Sequence, residues 1–229
     1  MAGPQILLTN DDGIHATGFR ALYDELAEIG DVTAVAPAVD QSAVGRQLSR
    51  SVSVSEHELG YEVEGTPADC VIAGLEVLCP ETDLVVAGCN RGANLGAYVL
   101  GRSGTVSAAV EAAFFDVPAI AVSLYVPIGQ DAQFASVDVD YDTYGEATRA
   151  TRHLAEHAFG AGVFDRADYL NVNAPPTEWG RAAMAVTTPS HVYRMKARHE
   201  GDQIELEDDI WRLMAEGEIP DDEGTDRYA

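Results

Sequence analysis

Short apolar runs alternating with helical stripes are the feature that most restricts the fold of this chain. Ile6-Leu7-Leu8-Thr9 reads as a short buried strand. Gly18 to Ile29 follows, with Phe19, Leu22, Leu26 and Ile29 on one helical stripe. Val32 to Ala36 is a second strand, ended by Pro37, and Asp83 to Ala87, Pro118 to Leu124 and Tyr169 to Val172 are further strands. Leu84-Val85-Val86 lacks polar alternation, as a parallel strand covered on both faces does. Helices are expected over Pro67 to about Leu78, Val106 to Phe115 and Tyr141 to Phe159. The expected fold class is therefore α/β, a Rossmann-like, mostly parallel sheet with helices on both faces. Leu48 to Ser55 and Tyr61 to Gly65 alternate apolar and polar residues and read as an exposed antiparallel hairpin. Beyond about residue 175 the pattern weakens to two short strand signals, Ala182 to Thr188 and Ile204 to Leu206. A Rossmann-like domain over 1–175 and a C-terminal arm or small subdomain over 176–229 is the expected division.

Charge narrows the partners. The 229 residues carry 38 acidic and 14 basic side chains, a formal net charge of -24, on a chain that is 46% hydrophobic. Lys196 is the sole lysine. Disorder requires low hydrophobicity as well as high charge, so this balance reads as a folded protein whose surface suits high salt. No basic stripe is present to hold a nucleic-acid polymer. Cys70, Cys79 and Cys89 lack metal-type CxxC spacing and read as reduced thiols of a cytoplasmic protein. No apolar run approaches the ~18 residues of a membrane span, and no signal peptide is evident.

Three loops follow strands: Asn10-Asp11-Asp12-Gly13, Gln41 to Gly45, and Asn90 to Gly96. In a parallel sheet such loops emerge at one edge and converge on one crevice. Asp11 and Asp12 are adjacent carboxylates, and each raises the other's pKa unless a cation neutralises them. With a serine hydroxyl and amide side chains alongside, the crevice offers hard oxygen ligands, which favours Mg²⁺ or Mn²⁺. Ser103-Gly104-Thr105 opens an alanine-rich helix, and a helix N-terminus is a ready seat for phosphate. Taken singly, Asp-Asp-Gly is a common turn, and Ser103 and Thr105 are ordinary helix caps. Their joint placement after successive strands is what points to phosphoryl chemistry. The sequence has no GxxxxGK[ST] loop, no GxGxxG after the first strand, no HExxH around His153 and His157, and no nucleophile elbow.

These residues resemble the SurE family, the stationary-phase survival proteins that act as metal-dependent nucleoside monophosphate phosphatases. The resemblance is carried by Leu8 to His15, by Val35-Ala36-Pro37 with Gln41-Ser42, by Gly65 to Val71, and by Asn90 to Gly96 with Ser103-Gly104-Thr105. Gly224-Thr225-Asp226 is a weaker echo. The resemblance implies that Asp11, Asp12, Ser42 and Asn90 ligate one divalent ion per subunit, and that Asn94, Ser103, Gly104 and Thr105 hold the substrate phosphate. It also implies a homodimer or homotetramer that exchanges C-terminal arms. The chain departs from the family's pattern at Thr17, where proline is common, at Val44 and Arg46 in the serine loop, and at Cys89 before Asn90. Arg46 is a candidate phosphate partner. The family continues past Gly224-Thr225-Asp226 into a last strand, whereas this sequence ends at Ala229.

The expected activity is hydrolysis of nucleoside monophosphates by metal-activated water, a 5′/3′-nucleotidase reaction, with Asp11 and Asp12 as the catalytic acids and Asp11 the candidate general base. The alternative is a non-catalytic nucleotide-binding regulatory module. The hairpin at 48–65 and the loop at 125–140 are expected to wall the substrate side.

Overall fold

Aliphatic and β-branched runs form the centre of the sheet because the central strands bury both faces between helices. The computed structural model describes residues 3–126, 139–218 and 221–228, so most of the expected 125–140 wall lies outside the described residues. The strands of the main sheet are β1 (Gln5–Thr9), β2 (Asp31–Pro37), β3 (Val54–His57), β4 (Gly60–Val63), β5 (Leu84–Arg91), β6 (Ala119–Leu124) and β7 (Tyr169–Ala174). They lie in the order β3-β4-β2-β1-β5-β6-β7, and β3 alone is antiparallel to its neighbour. The chain winds outward from β1 through β2 to β4, then returns to β1's other side and winds away through β5, β6 and β7. Such a reversal opens a crevice at the carboxyl ends of the two central strands, here β1 and β5.

Helices α1 (Thr17–Leu26) and α5 (Gly145–His157) cover one face of the sheet, packing on β5, β6 and β7. Helices α2 (Pro67–Ala73) and α4 (Gly104–Ala113), which follow β4 and the short helix α3 (Ala97–Leu100), cover the other. There Leu7, Val35, Val85, Ala87, Ala119 and Ala121 of the sheet join Cys70 and Val71 of α2 and Val106, Ala109 and Ala112 of α4 in one buried cluster. Alanine along α4 lets the helix lie close to the strands.

Several expected boundaries move. The strand expected over Leu48 to Ser55 shrinks to β3, which begins at Val54. Thr66 and Asp69 form a capping box at the start of α2. The same two side chains take the Gln47 carbonyl (2.7 Å) and the Ser49 N–H (2.8 Å), groups that a longer ladder needs. The helix from Pro67 ends at Ala73 and continues as a π-helical turn over Gly74–Leu78. The one from Tyr141 begins as a 3-10 turn, Tyr141–Tyr144. Ala182 to Thr188 forms no strand; Thr188 makes a single bridge to Thr225. Cys70, Cys79 and Cys89 are free thiols. No helix among the described residues is long and apolar enough to cross a membrane.

Two compact units emerge. One comprises the sheet and its helices through Ala182, and the other includes Leu95–Val99 and the chain from Ala183. The second holds an antiparallel ribbon, β8 (Met195–Glu200) with β9 (Gln203–Asp208), and the helix α6 (Asp209–Ala215). The Ile204 to Leu206 signal lies within β9, while β8 is too polar to announce itself. Within this unit Asp226 accepts from the Gly96 N–H at 2.7 Å and the Ser190 N–H at 2.9 Å. Arg227, 3% exposed, donates to the carbonyls of Leu95 (3.1 Å) and Val192 (2.8 Å). Gly96 adopts φ +89, and a Cβ there would stand 2.3 Å from the Arg227 guanidinium, so glycine is required.

Leu7 is fully buried in the cluster between sheet and helices. Leu7→Ala is expected to destabilise the protein by about 2–5 kcal/mol, read from chemical unfolding in molar KCl, without change in the unfolding slope.

Candidate active site

Asp11 and Asp12 leave β1 at the crevice. Asp11 is 4% exposed, and its Oδ1 accepts from the Thr105 hydroxyl at 2.6 Å. Its backbone carbonyl accepts from the Gln41 N–H at 2.7 Å, which seats the serine loop against it. Asp12 is half-buried and accepts from the Arg91 N–H at 2.9 Å, beside Asn90. Gly104 meets Asp11 so closely that a Cβ would lie 2.8 Å from Asp11 Cβ, which explains glycine at the first position of α4. The Gly45 N–H donates to the Arg102 carbonyl at 3.1 Å and ties the serine loop to the segment before α4. Loops from β1, β2 and β5 and the start of α4 thus meet at one point, although they lie up to 94 residues apart in sequence.

Burial and the neighbouring Asp12 charge push the Asp11 carboxyl up to about 7, against the pull of hydrogen bonds from Thr105. Asp12 is also raised, chiefly by burial, with the Arg91 N–H and charge opposing and Asp40 adding to the rise. A buried acid pair of this kind favours a bound cation. The donors fit a hard one. The Asn90 Nδ2 donates to the Gly92 carbonyl, leaving an amide oxygen as the other polar atom of that group. The Ser42 hydroxyl donates to Asp40 at 2.6 Å and retains oxygen lone pairs. Buried Asn10 Oδ1 has no hydrogen-bond partner among the described residues. Among the described residues no group of three or more His, Cys, Asp and Glu side chains gathers to hold a metal; the expected set has only two carboxylates and no soft ligand.

The residues expected to hold phosphate divide into two roles. Ser103 is the N-cap of α4, its Oγ accepting from the Val106 N–H at 3.1 Å. The Thr105 hydroxyl holds Asp11, so an anion at this turn would meet backbone N–H groups at Gly104 and its neighbours. Asn94, 5% exposed, is fixed from three directions. Its N–H donates to Asn173 (2.7 Å), its carbonyl accepts from Asn171 (2.9 Å), and its Nδ2 donates to Ser123 (2.8 Å). Arg46 does not join them. It pairs with Glu111 at 2.9 Å and lies 4.9 Å over the Phe114 ring. Glu111 is seven residues along α4 from Gly104, about 10 Å at 1.5 Å per residue. The Arg46 side chain is therefore a strut between the serine loop and the helix.

Asp40, Ser123, Asn171 and Asn173 escaped the sequence reading. Asn171 and Asn173 carry a legible signal: two amides at strand spacing in an otherwise apolar β7 share one side of the strand. Asp40 sits in a polar loop where nothing distinguishes it.

The family model described as survival protein SurE matches residues 6–196. The protein called 5′-nucleotidase SurE from Haloarcula marismortui is 67% identical over 229 residues, spanning 100% of this chain and 85% of that one. Its namesake from Archaeoglobus fulgidus is 38% identical over 232 residues, spanning 98% and 86%. The crystal structure of SurE protein from Aquifex aeolicus aligns with a TM-score of 0.74 at 29% identity, over 99% of this chain and 88% of that one.

With metal chelated, the raised Asp11 carboxyl makes a signed prediction. The folded state keeps a proton to about pH 7 that the unfolded chain releases near 3.8. The group therefore costs no stability below pH ~4 and destabilises the fold progressively as pH rises to 7. Asp11→Asn removes the effect, so the variant should gain on the wild type by on the order of 4 kcal/mol between pH 4 and 7, measured by denaturant unfolding with chelator. A constant difference across that range would refute the raised carboxyl.

Proposed function

The chain belongs to the SurE survival-protein family and is a nucleotidase, and from that premise we propose that it hydrolyses nucleoside monophosphates with one divalent ion, Mg²⁺ or Mn²⁺, held by Asp11, Asp12, Ser42 and Asn90. The observation that carries this reading is the buried Asp11 carboxyl beside Asp12, next to the N-terminus of α4. An acid pair repels a phosphate, and a helix N-terminus attracts one; with a dication on the acids, both features serve the same ligand.

The chain's own residues have distinct tasks. Thr105 and the Arg91 N–H fix the orientations of Asp11 and Asp12, so that the acids are preorganised. Ser103 caps α4 and orients its first turn. The Gly104 backbone comes close enough to Asp11 that phosphate oxygens meet N–H donors beside the ion site. Asn94, braced by Ser123, Asn171 and Asn173, presents its amide to the same ligand without reorganising. A bound Mg²⁺ or Mn²⁺ supplies Lewis acidity toward a phosphate oxygen and lowers the pKa of water. With Asp11 serving as ligand its basicity falls, so its part as general base is secondary.

The residues after 176 support an assembly role. Ile204 and Leu206 on the β8–β9 ribbon are 64% and 74% exposed, and a two-stranded ribbon is marginal in isolation. A homodimer or homotetramer built through this region is expected to sediment as such in molar KCl, and Leu206→Glu should shift it toward monomer.

The catalytic reading is tested by phosphate release from a panel of nucleoside monophosphates in molar KCl. Release should require Mg²⁺ or Mn²⁺ and stop with chelator. Asp11→Asn should fall by at least about 100-fold while keeping its circular dichroism spectrum. Wild-type turnover in that variant would sink the assignment, and nucleotide binding without any release would leave a regulatory binding module.

A further inference from the structure

Two aromatic rings stand at the same carboxyl edge and have no part in the chemistry above. Tyr125 follows β6 directly, and Trp179 ends the 3-10 turn Thr177–Trp179 that follows β7. Their ring centroids are 5.9 Å apart, with planes tilted by 58°. Tyr125 is half-buried and Trp179 is 59% exposed. A tryptophan left this open, braced at an angle by a tyrosine, offers an apolar ring face to solvent.

Its position follows from the sheet. The Tyr125 N–H donates to the Ala174 carbonyl at 2.8 Å, so the parallel ladder between β6 and β7 runs on through Tyr125. Ala119 and Ala121 belong to the cluster under α2 and α4. Ser123 continues that face and reaches the Asn94 side chain, and Tyr125 comes next on it by strand alternation. Two residues of strand are about 7 Å. The aromatic surface therefore lies one short step beyond the Ser123–Asn94 contact, on the α4 face that also carries Thr105 and Asp11. A nucleoside monophosphate has a ribose between its phosphate and its base, which is a spacer of that scale.

We propose that Tyr125 and Trp179 form the platform on which the nucleobase of the substrate stacks, while its phosphate sits at Asn94 and the start of α4. This rests on the nucleotidase reading and adds to it the means of base recognition. Stacking is tolerant of base identity because every base presents a π-face, so this platform favours a broad substrate range, with purines ahead of pyrimidines by ring area. It also suits the charge of the chain. A net charge of -24 repels nucleotides, and at 1 M salt the Debye length of about 3 Å screens remote electrostatic attraction in any case. Apolar stacking is insensitive to that screening.

The test compares AMP with ribose 5-phosphate, which has the same phosphate and sugar and no base. In molar KCl with Mn²⁺, Trp179→Ala should lower kcat/KM for AMP by roughly tenfold or more, through KM, and leave ribose 5-phosphate within about twofold. Trp179→Phe, which keeps a stacking face, should recover most of the loss. Equal losses on both substrates would mean that Trp179 is merely structural, and no loss on either would remove it from the site; each overturns the platform. A second readout separates this proposal from the reading beneath it. In a Trp211→Phe background, Trp179 emission should be quenched by AMP and not by ribose 5-phosphate. Quenching without phosphate release would overturn the nucleotidase reading alone, and release without quenching would overturn the platform alone.

Discussion

The placement of β5 directly beside β1 is the constraint on which the site depends. Leu7 pairs with Val85, Leu8 with Val86 and Thr9 with Ala87 in register, and β5 then runs on to Arg91 beside the loop that leaves β1. Asp12 can then accept from the Arg91 N–H, 79 residues away in sequence. The same reversal of winding puts the start of α4 on the cluster-bearing face, within reach of Asp11. Were β5 to pair elsewhere, the acids and the anion seat would lie on different edges. The buried aliphatic strip that fixes this pairing is therefore as much a part of the site as the polar groups above it.

How far the sequence disclosed this depended on the range of the interactions. Strands such as Leu84-Val85-Val86 are legible because burial on both faces leaves an unbroken apolar run. The sheet's outer hairpin is less so. Leu48 to Val52 alternates like a strand, but the capping side chains Thr66 and Asp69 draw its backbone groups out of any ladder. The adjacent acids and the Ser-Gly-Thr turn stand out as local patterns. Asn171 and Asn173 act on Asn94 across 77 and 79 residues, and no local pattern encodes a partner at that distance. Arg46 has the right charge for a phosphate, yet the buried acid Glu111 competes for it and wins by proximity.

Electrostatics separates the surface of this protein from its crevice. Over the surface, acids in excess repel one another, and concentrated salt relieves the repulsion. In the crevice the repulsion between Asp11 and Asp12 is confined and desolvated, and screening by bulk salt reaches it poorly. A single ion bound there acts where solvent ions cannot, which is why the proposed metal and the acidic surface are compatible.

The grip of Asp226 and Arg227 on Gly96 and Leu95 reaches back across 130 and 132 residues. Contacts of that span close late, since the chain between them must be made and arranged first. During synthesis the sheet through β7 can assemble while the Asn90 to Gly96 loop still lacks its downstream anchor. The segment that follows Asn94 therefore gains its final geometry only after residue 227 has left the ribosome, so a partly made chain can hold a formed sheet before it holds a finished loop.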